Sequence, residues 1–200
     1  MARMVPAAEQ EDARAAAALA GDVLAGSGFA ALEPAGLLDE SLPWAVRCEV
    51  ARVAGGMSCS SGLSVFGSVP LLAAAVVAGA GETAAETGMA YARDRVVFGR
   101  PLARMPVQRY AFASVAASLE AAVALVRRVA AAWDAGRTCA LDEAAVVPYA
   151  LDAAWAAAEA ALQVHGGYGY TDEYPVSRMW REIAAARASL RSSVEPVSSV

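Results

Sequence analysis

The residues whose types and spacing could do chemistry are concentrated in residues 162–183, LQVHGGYGYTDEYPVSRMWREI. An Ala-rich helical run stops there at the pair Gly166-Gly167, and tyrosines follow at 168, 170 and 174 before Pro175. Adjacent glycines let the chain turn sharply and let a second backbone or a ligand come close, because no Cβ stands in the way. A helix that ends at such a loop presents free polar backbone groups, so phosphate or amide recognition is within its chemistry. The same residues also read as a helix C-cap and a tight turn. Gly167-Tyr168-Gly169 offers the letters G-x-G, but it follows a helix rather than a strand, so it is no dinucleotide fingerprint of the strand-turn-helix kind. His165 is the single histidine, and Cys48, Cys59 and Cys139 lack the spacing of a ligand set, so no metal site is expected. The cysteines read as reduced thiols.

Long helices must position that loop. Residues 7–24 read as a first helix with Glu9, Glu11 and Asp12 early, where the helix dipole favours acids. Gly26-Ser27-Gly28 breaks it, and residues 29–42 read as a loop with at most one helical turn. Pro43 starts a second helix through Trp44, Val46, Val50 and Val53, which Gly55-Gly56 ends or interrupts. Residues 58–68 are Ser/Gly-rich and read equally as loop or weak helix. From Pro70 the signal is long: a helix to about Val96, with Gly79, Gly81 and Gly88 permitting close approach by a neighbour. Phe98-Gly99-Arg100-Pro101 stops it. Further helices cover residues 106–134, with Val115, Leu119, Val123, Val126 and Val129 on one face, then 141–164, bent at Pro148, and 176–191. The expectation is an all-α protein with negligible strand: a helical N-terminal extension over 1–69, a four-helix bundle over 70–191 and a flexible tail over 192–200.

Composition agrees. The chain has 200 residues, 58% of them hydrophobic and 7% aromatic, which suits closely packed helices in one core. A net charge of −5 speaks against nucleic acid, which needs a basic footprint. Residues 70–80 are apolar but span only about half of the ~20 residues a membrane crossing needs. The start of the chain lacks a basic region followed by an apolar one. A soluble, cytoplasmic protein is expected.

Two phrases resemble one family. QVHGGYGYTDEYPVSRMWRE is similar to the signature of the acyl-CoA dehydrogenase C-terminal helical domain, Q-x-x-GG-x-G followed by an EYP-like step and an Arg-Asp pair. Upstream, YARDRVVFGRPL at residues 91–102 resembles that family's Y-x-x-x-R-x-x-FG-x-P-L. The resemblance covers about residues 71–182. It implies an FAD site shared between subunits, in which Arg95 reaches the cofactor's pyrophosphate, Phe98 packs near its adenine, and Gln163, Gly166 and Gly167 form a second contacting stretch. Guanidinium suits bidentate phosphate contacts, and glycines let backbone amides approach. It further implies an acyl-thioester substrate, on acyl-CoA or a carrier protein, and a homodimer or a related acyl-CoA dehydrogenase subunit as partner.

The chemistry implied by the resemblance is removal of an α-proton by a glutamate while the β-hydrogen leaves as hydride to the flavin. Counted from Arg181-Glu182, the usual glutamate position holds Leu190, and the alternative position, before Y-x-x-x-R, falls near Val69. Neither side chain accepts a proton, so the catalytic base is unassigned; Glu195 is a weak candidate five residues past Leu190. The family's central β domain also finds no room between Gly26 and Pro70. A truncated dehydrogenase subunit therefore stands beside two other readings: a bundle reused for flavin-independent chemistry on an acyl or polyketide-like substrate, and a non-catalytic scaffold subunit.

Overall fold

A computed structural model describes residues 7–193 and places seven helices among them. These are α1 (Ala7–Ser27), α2 (Trp44–Met57), α3 (Cys59–Phe66), α4 (Pro70–Asp94), α5 (Pro106–Asp134), α6 (Ala140–His165) and α7 (Pro175–Ser193). Short 3-10 turns lie at Phe29–Ala31, Leu102–Arg104 and Gly166–Tyr170, and a two-stranded ribbon joins α4 to α5. Residues 194–200, with Glu195, lie outside the described part.

α4 is the axis of the fold. Its residues Leu71 to Gly81 are buried without a break, as expected of a helix apolar on every side and wrapped by neighbours. Glycine and alanine bring those neighbours in to backbone distance. A Cβ on Gly81 would stand 2.8 Å from Ala154 Cα, and one on Gly88 would stand 2.8 Å from Ala161 Cα. The contact advances seven residues along both helices, so α4 and α6 run parallel. α5 runs the other way, since Gly81 faces Leu119 and Gly88 faces Phe112. α7 returns along α6, with Trp180 against Trp155 (5.4 Å) and Arg187 on Asp152 (3.2 Å). The result is an up-down-up-down bundle.

α2 crosses α4 where both have glycine. A Cβ on Gly55 would lie 1.9 Å from Val76 O, and one on Gly79 would lie 1.9 Å from Arg52 O. This explains why Gly55-Gly56 does not end α2: the helix continues to Met57, and the glycines serve the crossing. Charges beside it are paired, as burial demands. Glu49, 8% exposed, accepts from Arg52 Nε and Arg127 Nε at 2.9 Å each, and Glu82 takes the far side of Arg52.

Two helix starts are capped from far away. Asp134 at the end of α5 accepts the N–H of Trp44 (2.6 Å) and Ala45 (3.0 Å). The segment left open at residues 58–68 is α3, where Ser58 Oγ accepts from Ser61 N and Glu182 Oε2 accepts from Ser60 N at 3.2 Å. Among the described residues no helix is long and apolar enough to cross a membrane.

Candidate functional site

α4 stops at Arg95, whose extended backbone (φ −75°, ψ 115°) still donates its N–H to Tyr91 O at 2.9 Å. The chain then forms a minimal hairpin, β1 (Val96–Val97) against β2 (Arg100–Pro101), with Val96 opposite Pro101. Its base is closed by Leu102 N–H to Arg95 O at 2.8 Å. The two turn residues, Phe98 (φ 52°) and Gly99 (φ 75°), are both left-handed, the turn that matches the twist of a tight hairpin. Gly99 adopts it without penalty. Phe98 does not, at a cost of order 1–2 kcal/mol. It is the one non-glycine with positive φ among the described residues, and 93% of its surface is exposed. Among the described residues the ring itself packs into no core cluster, and such strain is often found at functional sites.

The hairpin and its flanks carry an excess of positive charge. Arg93, Arg95, Arg100, Arg104 and Arg109 with Asp94 give residues 91–110 a local charge of +4 in a chain of net −5. None of the five guanidiniums has an ion-pair partner among the described residues, whereas Arg127, Arg128, Arg178 and Arg187 all do. Arg95 is exposed.

Because α4 and α6 are parallel, the end of α6 arrives at the same pole. Gly166 there takes φ 59°, ψ −137°, which only glycine adopts readily, and donates its N–H to Gln163 O. Gln163, Gly166 and Gly167 are exposed. Gly167 is not left-handed, and a Cβ on it would meet nothing within 4 Å. No packing contact among the described residues requires a glycine there.

The two phrases meet through rings. Tyr91, one turn before Arg95, stacks on His165 at 4.0 Å and 25°. Tyr174 meets both edge-on, at 5.8 and 5.4 Å, and Tyr168 lies 5.9 Å from Tyr174. Beneath them Ala92, Phe112 and Val164 form a small apolar cluster that Leu102 joins. Sequence reading singled out Arg95, Phe98, Gln163, Gly166 and Gly167 and missed this ring cluster. The available signal was Tyr91 standing four residues before Arg95, which on a helix is one turn away.

The two positions at which the family's base would fall lie towards the opposite pole. Val69 is the N-cap residue of α4, half-buried, and 26 residues before Arg95, or ~39 Å along a helix. Leu190 sits within α7, half-buried against the main core. Arg187 and Arg191, both on Asp152 (3.2 and 2.5 Å), clamp that end of α7 to the first half of α6. The Arg-Glu pair has structural duties: Glu182 caps α3, and Arg181 makes an exposed ion pair with Asp172 at 2.9 Å that holds the Asp172 carboxyl below its usual range. Cys48 and Cys59 are buried free thiols, Cys59 pushed up to about 12 by burial and Cys48 further in the same direction, so neither is a nucleophile at neutral pH.

Comparison with known proteins places this geometry. The family described as acyl-CoA dehydrogenase, C-terminal domain, matches residues 66–189. An acyl-CoA dehydrogenase of Bacillus subtilis is 39% identical over 109 residues, covering 54% of this chain and 29% of that protein. The short-chain-specific acyl-CoA dehydrogenase of Megasphaera elsdenii is 35% identical over 109 residues, covering 54% of this chain and 28% of that one. Among solved structures, butyryl-CoA dehydrogenase from Megasphaera elsdenii superimposes with a TM-score of 0.58 at 28% identity, over 70% of this chain and 36% of that one. The chain thus spans less than a third of the length of these sequence relatives. With more than half of its residues matched by the C-terminal domain, the chain belongs to the acyl-CoA dehydrogenase family.

Proposed function

We propose that this protein is a cytoplasmic subunit of an FAD-dependent acyl-thioester dehydrogenase, and that its arginine-rich pole supplies one half of an FAD site completed by a partner: a second copy or a related subunit. The observation that carries the reading is the unpaired Arg95 beside Phe98, an exposed ring held at positive φ. Arg95 would take the cofactor's pyrophosphate by paired N–H contacts, and Phe98 would offer its face to the adenine. Gln163, Gly166 and Gly167 would bring backbone amides and a side-chain amide up to the same cofactor, with the open space at Gly167 admitting it. When bound, FAD supplies a hydride acceptor for the β-carbon of an acyl thioester.

This chain's own residues bind and orient; they offer no base at the expected positions. Leu190 and Val69 cannot accept the α-proton, and they lie away from Arg95, towards the other end of the bundle. Between α1 and α4 there are only turns, α2 and α3, with no sheet against which a flavin ring could lie. A composite site, in which a partner contributes the flavin pocket and the base, accords with this. A second reading, a bundle kept as a non-catalytic subunit, is favoured by one observation: Leu190 packed in an unbroken helix.

The test is an absorbance spectrum of the protein purified alone and together with a related dehydrogenase subunit. Flavin absorbance in either preparation, lost with Arg95→Ala, supports the proposal. Colourless protein in both, with no FAD taken up on addition, sinks it in favour of the non-catalytic reading.

A further inference from the structure

His165 is buried, at 4% exposure, and no step above uses it. It is the chain's only histidine. Its Nδ1 lies 2.7 Å from Ala161 O, and because a carbonyl only accepts, Nδ1 carries the proton and donates. The ring plane is thereby fixed from its own helix. One face then stacks on Tyr91 of α4, and Tyr174, just before α7, closes the edge. Ala161, the acceptor, is also the residue whose Cα touches Gly88. A single imidazole is therefore tied to α4 by its face, to α6 by its N–H, and by its backbone to the next residue, Gly166.

We infer that His165 is the positioning residue of this pole: its stack on Tyr91 sets the Gly166-Gly167 turn against the Arg95–Phe98 hairpin. Each end of the stack is one bonded step from a site element. Tyr91 O holds the Arg95 N–H at 2.9 Å, and His165 precedes Gly166, whose left-handed φ turns the chain out of α6. An aliphatic side chain would fill the volume but would supply neither the flat stack nor the N–H that fixes its plane. Without the stack the turn could rotate about Gly166, where no Cβ resists it. Only the cofactor readout of this inference rests on the FAD reading; the backbone readout is independent of it.

The experiment compares the full-length wild type with Tyr91→Phe, Tyr91→Leu and His165→Leu. It measures hydrogen exchange of the amides in residues 166–170, the FAD dissociation constant in the complex that retains flavin, and the melting temperature. Tyr91→Phe keeps the ring and is expected within twofold of wild type in exchange and FAD affinity. Tyr91→Leu and His165→Leu are expected to speed exchange at 166–170 at least tenfold and to weaken FAD by a similar factor, with helix content retained. Unchanged exchange in Tyr91→Leu overturns the inference, as does a Tyr91→Phe variant as impaired as Tyr91→Leu. If the leucine variants do not fold, the wild type still decides. The lone imidazole's ring-proton NMR signals should lie upfield of free histidine through the Tyr91 ring current, and signals at the free position overturn the stack. Faster exchange in the leucine variants of a protein that takes up no FAD supports the positioning role while removing the cofactor assignment.

Discussion

Gly88 and Ala161 meet backbone to backbone: a Cβ on Gly88 would lie 2.8 Å from Ala161 Cα. One turn further on, three residues past Gly88 and four past Ala161, Tyr91 meets His165, and then Arg95 and Gly166 fall at one pole, because two parallel helices in such contact carry their ends to the same level. The family's two phrases, far apart in the chain, become one surface through this contact.

Gly88→Val tests it. The added side chain must push Ala161 or Phe112 aside, and overpacking of this kind costs about 1–3 kcal/mol. The urea midpoint should fall accordingly, and a variant as stable as wild type would show that α4 and α6 are not packed so closely.

The distant caps predict a second set of losses. Glu182→Ala removes the carboxylate that accepts Ser60 N–H at the start of α3, and Asp134→Ala removes the one at the start of α2. Each should cost about 0.5–2 kcal/mol in denaturant unfolding. By contrast Asp172→Ala, which breaks only the exposed pair with Arg181, should stay within about 1 kcal/mol of wild type.

Alkaline pH should destabilise the fold through its buried thiols. Burial raises Cys59 to about 12, above the ordinary thiol value of about 8.5. The unfolded chain loses its proton first, so this contribution is complete below pH ~8.5 and drains away as pH climbs towards 12, by up to about 1.4 kcal/mol per pH unit. Urea midpoints measured between pH 8 and 10.5 should fall, and Cys59→Ala should fall less steeply. Parallel slopes for the two proteins would mean that Cys59 is not buried as described.

Much of this was legible in the sequence. The long helices from Pro70, the close-approach roles of Gly79, Gly81 and Gly88, and the helix stops before Phe98-Gly99 and at Gly166-Gly167 could be read from spacing and glycine placement. What could not be read depends on distance along the chain. Gly55-Gly56 looks like a helix stop because local propensity says so, and only α4 lying against it turns the pair into a packing surface. α3 looks weak in isolation because its local Ser58 cap is completed by Glu182, 122 residues beyond Ser60. The hairpin at Phe98 was hidden because its turn places a phenylalanine where glycine or asparagine is expected. The ring cluster needs α4 and α6 in register before Tyr91 and His165 can meet.

Gly167→Ala separates packing from binding. With φ outside the left-handed region and nothing within 4 Å of the new Cβ, the substitution should leave stability unchanged or raise it by about 0.4–1 kcal/mol. Flavin retention should nonetheless fall, because the methyl group occupies the approach to the turn. Unchanged flavin content in a stable Gly167→Ala protein would remove Gly167 from the site.

The most direct test of the central claim is the FAD dissociation constant of the flavin-retaining complex with wild-type and Arg95→Ala chains. Arg95 has no ion-pair partner among the described residues, so its loss should leave the fold intact, and the melting temperature should hold. A hydrogen bond between charged groups is worth about 1.5–3 kcal/mol, so the constant should rise roughly ten- to a hundredfold. Leu190→Glu, made in parallel, should add dehydrogenation only where flavin and acyl thioester already meet that end of α7. An Arg95→Ala protein that holds FAD as tightly as wild type would contradict the account and leave the arginine pole without its assigned ligand.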